Sequence, residues 1–149
     1  MTQASEKWDR RFLELARLVS TWSKDPSTQV GAVIAADKRL VSVGFNGFPR
    51  DMDDTIERYA NRTDKYSRVV HAEVNALIFA GTVPPWAVLY TYPFLPCDRC
   101  VVQMLQAGIR NFVSLKPTVE ALERWGTAFA LTKGYITECG GNWYEFDRL

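Results

Sequence analysis

Residues 87–115 read AVLYTYPFLPCDRCVVQMLQAGIRNFVSL, a helical pattern between two β-rich runs. The runs at residues 87–92 and 111–115 are typical of buried strands. Between them, apolar side chains and cysteines recur at helical spacing, namely Cys97, Cys100, Val101, Met104 and Leu105. Gly108 ends this helix. A strand, a helix and a strand in this order favour parallel pairing in a sheet covered by helices.

The chain before residue 87 predicts two further strands and two further helices. An amphipathic helix over about residues 6–23 is predicted from its apolar stripe, Trp8, Phe12, Leu15, Val19 and Trp22. Residues 30–35 and 40–45 predict an antiparallel hairpin. Residues 46–69 are charged and poorly periodic, which indicates a long functional loop with room for some helix. Residues 72–80 are mostly apolar and predict a buried helix.

After residue 115, the pattern predicts one more helix and a final strand. Thr118 can cap a helix that carries Val119, Leu122 and Phe129 on one face, and residues 143–146 form a short strand. The predicted order is αββαβαβαβ. We therefore expect an α/β fold, a three-layer α/β/α sandwich with a central mixed five-stranded sheet, and the whole chain as a single domain.

Composition argues against several classes of protein. Eighteen Lys and Arg against seventeen Asp and Glu leave a net charge of +1, so the overall charge does not attract nucleic acid. No run of about 18 apolar residues could span a membrane, and residues 1–11 are polar, so we expect a cytoplasmic location without membrane attachment. Three cysteines in such a chain argue against a disulfide framework. Cys139 is predicted to be a small buried apolar residue.

Two short motifs contain residue types that bind zinc. Residues 71–73 read His-Ala-Glu, and residues 96–100 read Pro-Cys-Asp-Arg-Cys. Cys97 and Cys100 share one face at the start of a helix, so both thiolates can point at one metal ion. His71, the single histidine, would be the third ligand at the non-helical entry to its helix. Three protein ligands leave the fourth tetrahedral position of Zn²⁺ for water, as in catalytic sites.

Glu73 lies in the first turn of an otherwise apolar helix, where a carboxylate is unfavourable unless something compensates it. A water molecule on the metal would supply that compensation, so Glu73 is predicted to act as a general base toward it. Each feature alone has an ordinary alternative. A lone histidine is more often structural, a C-x-x-C pair can be redox-active or hold structural zinc, and Glu73 can be a helix-start carboxylate. Their joint order is typical of zinc nucleobase deaminases.

Further blocks of sequence resemble the deoxycytidylate (dCMP) deaminases of the cytidine deaminase-like superfamily. These blocks are SKDPSTQVGA at residues 23–32, GFNGFPR at residues 44–50, NA at residues 75–76 and QAGI at residues 106–109. The resemblance implies a cytidine deaminase-like fold, one Zn²⁺ per chain, and hydrolysis of dCMP to dUMP and ammonia, which supplies dUMP for dTMP synthesis.

The resemblance also implies a set of substrate contacts: Lys24, Gln29, Asn46, Arg50, Ala72 and Pro96. Asn46 would contact the sugar, although an asparagine near glycines also suits a turn. Lys24 and Arg50 are candidates for the phosphate, with solvated surface as the alternative for each.

Many family members assemble as oligomers and respond to dCTP and dTTP, so the resemblance implies a homo-oligomer, either a dimer or a hexamer, and such effectors. Phe45 weakens the case for effectors, because the family commonly has tyrosine there. Three alternatives remain open. A free cytidine, deoxycytidine or other small-heterocycle deaminase is one. A nucleic-acid-editing deaminase would show a basic, aromatic surface. A non-catalytic zinc-binding interaction domain would need a fourth ligand and no buried base.

Overall fold

The computed structural model describes residues 3–149. The strands in that part of the chain are β1 (Gly31–Ala36), β2 (Arg39–Phe45), β3 (Val88–Tyr92), β4 (Asn111–Leu115) and β5 (Asn142–Phe146). The helices are α1 (Gln3–Ser20), α2 (Ile56–Ala60), α3 (Arg62–Arg68), α4 (Ala72–Ala80), α5 (Asp98–Gln106) and α6 (Val119–Glu138). The observed order is the predicted one with α2 and α3 added in the segment that had room for helix.

The strands form one five-stranded mixed sheet in the order β2-β1-β3-β4-β5. β1 is antiparallel to β2 and to β3, whereas β3, β4 and β5 are parallel. In the predicted hairpin, Val33 lies opposite Val43, and in the β3-α5-β4 unit, Leu89 pairs with Phe112. The predicted mixed sheet is confirmed.

Helices cover both faces of the sheet, because successive strand side chains point to opposite sides. One face packs on α1 through a cluster that includes Phe12, Leu13, Ala16, Val33, Tyr90 and Val113. The other face packs on α4, α5 and α6 through a cluster that includes Ile34, Ala76, Leu89, Met104, Phe112 and Ile136. The predicted three-layer sandwich is therefore confirmed.

α1 ends at Ser20, earlier than predicted. The backbone N–H groups of Thr21, Trp22 and Ser23 each donate to the carbonyl three residues before, at 3.0 to 3.1 Å. These bonds tighten the last turn and prevent the α-helix from continuing. Trp22, predicted for the apolar stripe, is 52% exposed and lies edge-on to Phe45.

Two predictions for the C-terminal third are wrong. Phe129 is buried, but Val119 and Leu122, predicted for the same face, are 68% and 49% exposed. The buried positions of α6 are Ala121, Phe129, Thr132 and Ile136, so little of its N-terminal part is covered. Cys139 is exposed, because it is the C-cap residue of α6 in the turn before β5.

The segment between β2 and α4 is anchored against the rest of the molecule. Phe48 stacks on Tyr59 of α2 with ring centroids 4.3 Å apart. Gly47 forms an isolated β-bridge with Val70, directly before α4. The β-bridge holds the end of the segment directly before the start of α4. None of the helices between residues 3 and 149 is long and apolar enough to cross a membrane.

Candidate zinc and catalytic site

Two helices begin next to each other. His71 is the N-cap residue of α4 and Cys97 is the N-cap residue of α5, and both have extended backbone. Neither side chain caps its own helix, so each is free to face the other. Cys100 follows in the first turn of α5 and is buried. Residues that are distant in sequence are thus brought together by helix starts.

The three candidate ligand atoms are close enough to share one ion. His71 Nδ1 lies 3.2 Å from Cys100 Sγ and 3.7 Å from Cys97 Sγ, and all three atoms lie within 4.8 Å of one another. Bond lengths of about 2.3 Å for Zn–S and about 2.0 Å for Zn–N place tetrahedral N and S ligands roughly 3.6 Å apart. The donor set therefore fits Zn²⁺.

The local electrostatics favour a thiolate at Cys97. Hydrogen bonds from Cys100 and from His71 lower the pKa of Cys97 to about 4, against the opposing effect of its burial. The N-terminal position on α5 acts in the same direction, because helix N–H groups stabilise negative charge. A thiolate is the form of cysteine that binds zinc.

Glu73 lies in the first turn of α4 and is 4% exposed. Burial raises the pKa of its carboxyl group, and the neighbouring His71 partly offsets that rise. A carboxyl group whose pKa is raised binds a proton more readily than a solvated one does, which suits a group that has to carry a proton. Its position beside the zinc ligands gives it access to the same reacting atoms.

His71, Glu73 and Cys97 line one cavity of about 160 Å³. The buried residues Ala72 and Glu73 mark its inner end. Arg124 and Tyr66, which are exposed, mark its outer end. The cavity therefore leads from solvent to the candidate zinc site.

The sequence model described as "Cytidine and deoxycytidylate deaminase zinc-binding region" matches residues 6–116. The chain belongs to this family. It is accordingly a zinc-dependent deaminase, and His71, Cys97 and Cys100 are the candidate ligands for its zinc.

Curated relatives of this deaminase come from bacteria and animals. It is 40% identical over 145 residues to an uncharacterized deaminase in the luxG 3' region of Aliivibrio fischeri, covering 96% of this chain and 97% of the relative. It is 36% identical to a probable deoxycytidylate deaminase of Caenorhabditis elegans, over 77% of this chain and 60% of the relative. The human deoxycytidylate deaminase is 33% identical, over 72% of this chain and 64% of the relative. The deaminase thus spans less than two thirds of these two animal relatives.

Among solved structures, the deaminase resembles the dCMP deaminase of cyanophage S-TIM5 in its apo form. The TM-score is 0.72 at 20% identity, over 98% of this chain and 100% of that chain. This likeness shows a shared cytidine deaminase-like fold.

Asn46 of the deaminase lines the cavity and also fixes the loop before β1. Its Nδ2 donates to the Thr28 carbonyl at 2.9 Å, and its Oδ1 accepts from the Val30 N–H at 2.9 Å. Ser23 Oγ donates to the Asn46 carbonyl at 2.8 Å. Asn46 therefore fits both interpretations of the sequence, because it lines the pocket and also holds a turn-like loop in place.

Asp25 and Lys65 form a buried ion pair in the cavity wall. Lys65 Nζ lies 2.9 Å from Asp25 Oδ1, and the side chains are 13% and 3% exposed, respectively. The same carboxylate accepts from the Ser27 N–H at 2.8 Å. The pair joins α3 to the loop before β1.

Of the other five candidate substrate residues, one lines this cavity and four do not. Ala72 lines it, whereas Lys24, Gln29, Arg50 and Pro96 do not. Lys24 Nζ pairs with Asp54 Oδ2 at 2.9 Å, and its side chain is 68% exposed. Gln29 Nε2 donates to the Ser23 carbonyl at 2.7 Å.

Arg50 and Pro96 contact neighbouring helices. The Arg50 guanidinium lies over the Phe79 ring of α4 at 5.4 Å. The Pro96 carbonyl accepts from Thr132 Oγ1 at 2.8 Å, which ties α6 to the start of α5.

Sequence patterns do not reveal Lys65, Arg124 or Trp125 as cavity residues. Lys65 lies in the poorly periodic segment, and the other two lie on α6, where the family resemblance is weak. The adjacent Arg124-Trp125 pair is the one available signal, because arginine and aromatic side chains together are common in binding sites.

Proposed function

We propose that this deaminase hydrolyses dCMP to dUMP and ammonia. The observation that carries the proposal is the buried Glu73 carboxyl group in the cavity that His71 and Cys97 line, with the Cys100 thiol within 4.8 Å of both of their ligand atoms. Relatives named deoxycytidylate deaminase support the choice of substrate. A second structure of the cyanophage enzyme, with a TM-score of 0.73 over 98% of this chain, contains dCMP and dUMP.

The reaction requires a nucleophile and a proton carrier. His71, Cys97 and Cys100 would hold the zinc ion, which would supply Lewis-acid chemistry and lower the pKa of a water molecule. Glu73 accepts a proton from the attacking water and gives it to N3 of cytosine. After the water oxygen has bonded to C4, Glu73 takes the second proton from that C4 hydroxyl group and delivers it to the amino group as the carbon–nitrogen bond breaks. Ammonia leaves, and the ring keeps the oxygen as uracil.

The cavity wall favours a flat, partly apolar ligand. Phe94, Leu95 and Phe129 contribute apolar surface, and Asn46 contributes polar atoms. Pockets that bind small molecules usually combine an apolar lining with a few fixed polar groups. The cavity volume of about 160 Å³ is large enough for a pyrimidine ring.

An ammonia-release assay on the zinc-loaded protein tests the proposal. The substrates are dCMP, CMP, dCTP, deoxycytidine and a short single-stranded DNA. We expect the highest kcat/KM for dCMP, because binding energy from the phosphate can orient the base for reaction. Equal kcat/KM for deoxycytidine would instead identify a nucleoside deaminase, and preference for DNA would identify an editing enzyme.

We also propose that the deaminase acts in the cytoplasm as a homo-oligomer, with dCTP and dTTP as its effectors. Exposed apolar residues on α4 and α5 support the assembly, with Ile78 62%, Phe79 60% and Val102 46% exposed. Such clusters often form interfaces between protein chains. The location and the effectors stay predictions from composition and resemblance.

A further inference from the structure

The positively charged side chains around the cavity differ in whether they are already paired with a carboxylate. Among the residues that the structure describes, the cationic side chains lining the cavity are Lys65 and Arg124. Lys65 is committed to the buried carboxylate of Asp25 at 2.9 Å. Asp25 is in turn neutralised by Lys65 and by backbone N–H groups. This pair therefore contributes little net charge toward a ligand.

Arg124 is free to bind an anion. Its guanidinium lies over the Trp125 ring with 4.4 Å between the central carbon and the ring centroid. Within residues 3–149, it forms none of the ion pairs between side chains, even though Glu120 lies one turn before it. A guanidinium stacked by its face keeps its N–H edges available for a bidentate contact with phosphate.

The aromatic neighbours hold Arg124 in position. Phe94 packs on Trp125 with ring centroids 5.2 Å apart, and on Phe129 with centroids 5.3 Å apart. Trp125 is half-buried, and Phe129 is 5% exposed. We call Phe94, Trp125 and Phe129 the aromatic wall. The aromatic wall anchors the second turn of α6. Because Arg124 is already held in place, it would lose less conformational freedom when a ligand binds.

The order of groups along the cavity matches the order of groups in a nucleotide. Glu73 marks the buried end, where a reacting C4 atom must be placed, and the candidate ligands Cys97 and His71, the latter exposed, line the same cavity. Arg124 lies at the exposed end. In a nucleoside monophosphate, the base and the 5′-phosphate are at opposite ends of the sugar. A base at the zinc site therefore directs its phosphate toward solvent and toward Arg124.

We propose that Arg124 binds the 5′-phosphate of the substrate and makes the deaminase selective for nucleoside monophosphates over nucleosides. This inference rests on the proposed function. It gives Arg124 the role for which Lys24 and Arg50 are the candidates by resemblance. Lys24 is instead paired with Asp54, and Arg50 packs on Phe79.

Substitution of Arg124, with a matched control, tests the inference. Arg124→Ala should lower kcat/KM for dCMP about 10-fold to 100-fold, the usual effect of losing a charge-assisted contact. Its low kcat/KM for deoxycytidine should stay unchanged. Arg124→Lys should restore part of the loss, because it keeps the charge without the bidentate geometry. The control is Arg11→Ala, since Arg11 is also exposed and lies over Trp8 at 4.7 Å on α1, and it should leave both substrates unaffected.

Equilibrium binding separates this inference from the assignment of the reaction. Calorimetry should show that Arg124→Ala weakens binding of dUMP about 10-fold or more and leaves binding of deoxyuridine unchanged. That result supports the phosphate role even if dCMP proves not to be the substrate. An equal loss for dUMP and deoxyuridine would overturn the inference in favour of a structural role through the aromatic wall. Unchanged dUMP binding would overturn it in favour of another phosphate site.

Discussion

Glu73 occupies a position where two effects on its charge oppose each other. The start of α4 favours a negative charge, because the free N–H groups of the first turn point toward it. Burial disfavours that charge and raises the pKa of the Glu73 carboxyl group. A group balanced in this way can alternate between its protonated and ionised forms during one reaction.

Replacement of Glu73 by glutamine tests this role. Glu73→Gln should keep the fold and the zinc but lower kcat for dCMP by about 10²-fold to 10⁴-fold, because an amide cannot carry the proton. Ammonia release measures the rate, and elemental analysis measures the zinc. Glu138→Gln, an exposed position at the end of α6, is the control and should behave as the parent. If Glu73→Gln deaminated dCMP at nearly the parental rate, Glu73 would have no role in proton transfer and would only be a residue at the start of a helix.

α4 is positioned by its close approach to β2. A Cβ atom on Gly44 would lie 2.4 Å from the Ala72 carbonyl oxygen and 2.4 Å from the Ala76 nitrogen. Both atoms belong to the backbone of α4, so they cannot rotate away. Because His71 and Glu73 are at the start of the same helix, any shift of α4 moves the catalytic site.

We therefore expect Gly44→Ala to lower both stability and activity. Overpacking of this kind typically costs about 1 to 3 kcal/mol in the free energy of unfolding. Urea unfolding measures the loss, and ammonia release measures the effect on the site. Gly134→Ala is the control, since a Cβ there meets no atom within 4 Å and alanine is favoured in a helix. Parental stability in Gly44→Ala would show that α4 can move without cost.

Elements with strong periodicity were predictable from sequence, and short ones were not. The hairpin and the β3-α5-β4 unit follow from apolar runs that each fill a strand or a helix face. α2 and α3 have 5 and 7 residues, and Tyr59 is the buried residue of α2. Such helices depend on their caps, Thr55 and Asn61, and on tertiary contacts that local patterns do not encode.

At the scale of the whole molecule, the candidate catalytic site is assembled from well-separated segments. The loop before β1, α3, the start of α4, the segment before α5, and α6 all line the same cavity. His71, Glu73, Cys97 and Cys100 could be predicted because each motif carries its chemistry within a few residues. Lys65 and Arg124 could not, because only the packing of α3 and α6 brings them to the cavity.

A zinc ion held by the candidate ligands would join two parts of this molecule that lie far apart in the sequence. His71 begins α4, whereas Cys97 and Cys100 begin α5, and the three ligand atoms lie within 4.8 Å of one another. Binding to the folded state alone stabilises a protein, by about 2.7 kcal/mol when the free metal is at 100 times its Kd. For a chain of this size, each kcal/mol corresponds to roughly 2 to 4 °C in Tm.

Removal of zinc should therefore lower Tm by about 5 to 10 °C, and addition of zinc should restore it. Scanning calorimetry measures the shift, and elemental analysis measures the metal. The His71→Ala, Cys97→Ala double variant should hold no zinc and show no shift, because too few ligands remain. Cys139→Ala should match the parent in both measurements, since Cys139 is exposed and outside the ligand cluster. Stoichiometric zinc in the double variant would mean that the metal binds elsewhere, and it would remove the basis for the proposed reaction.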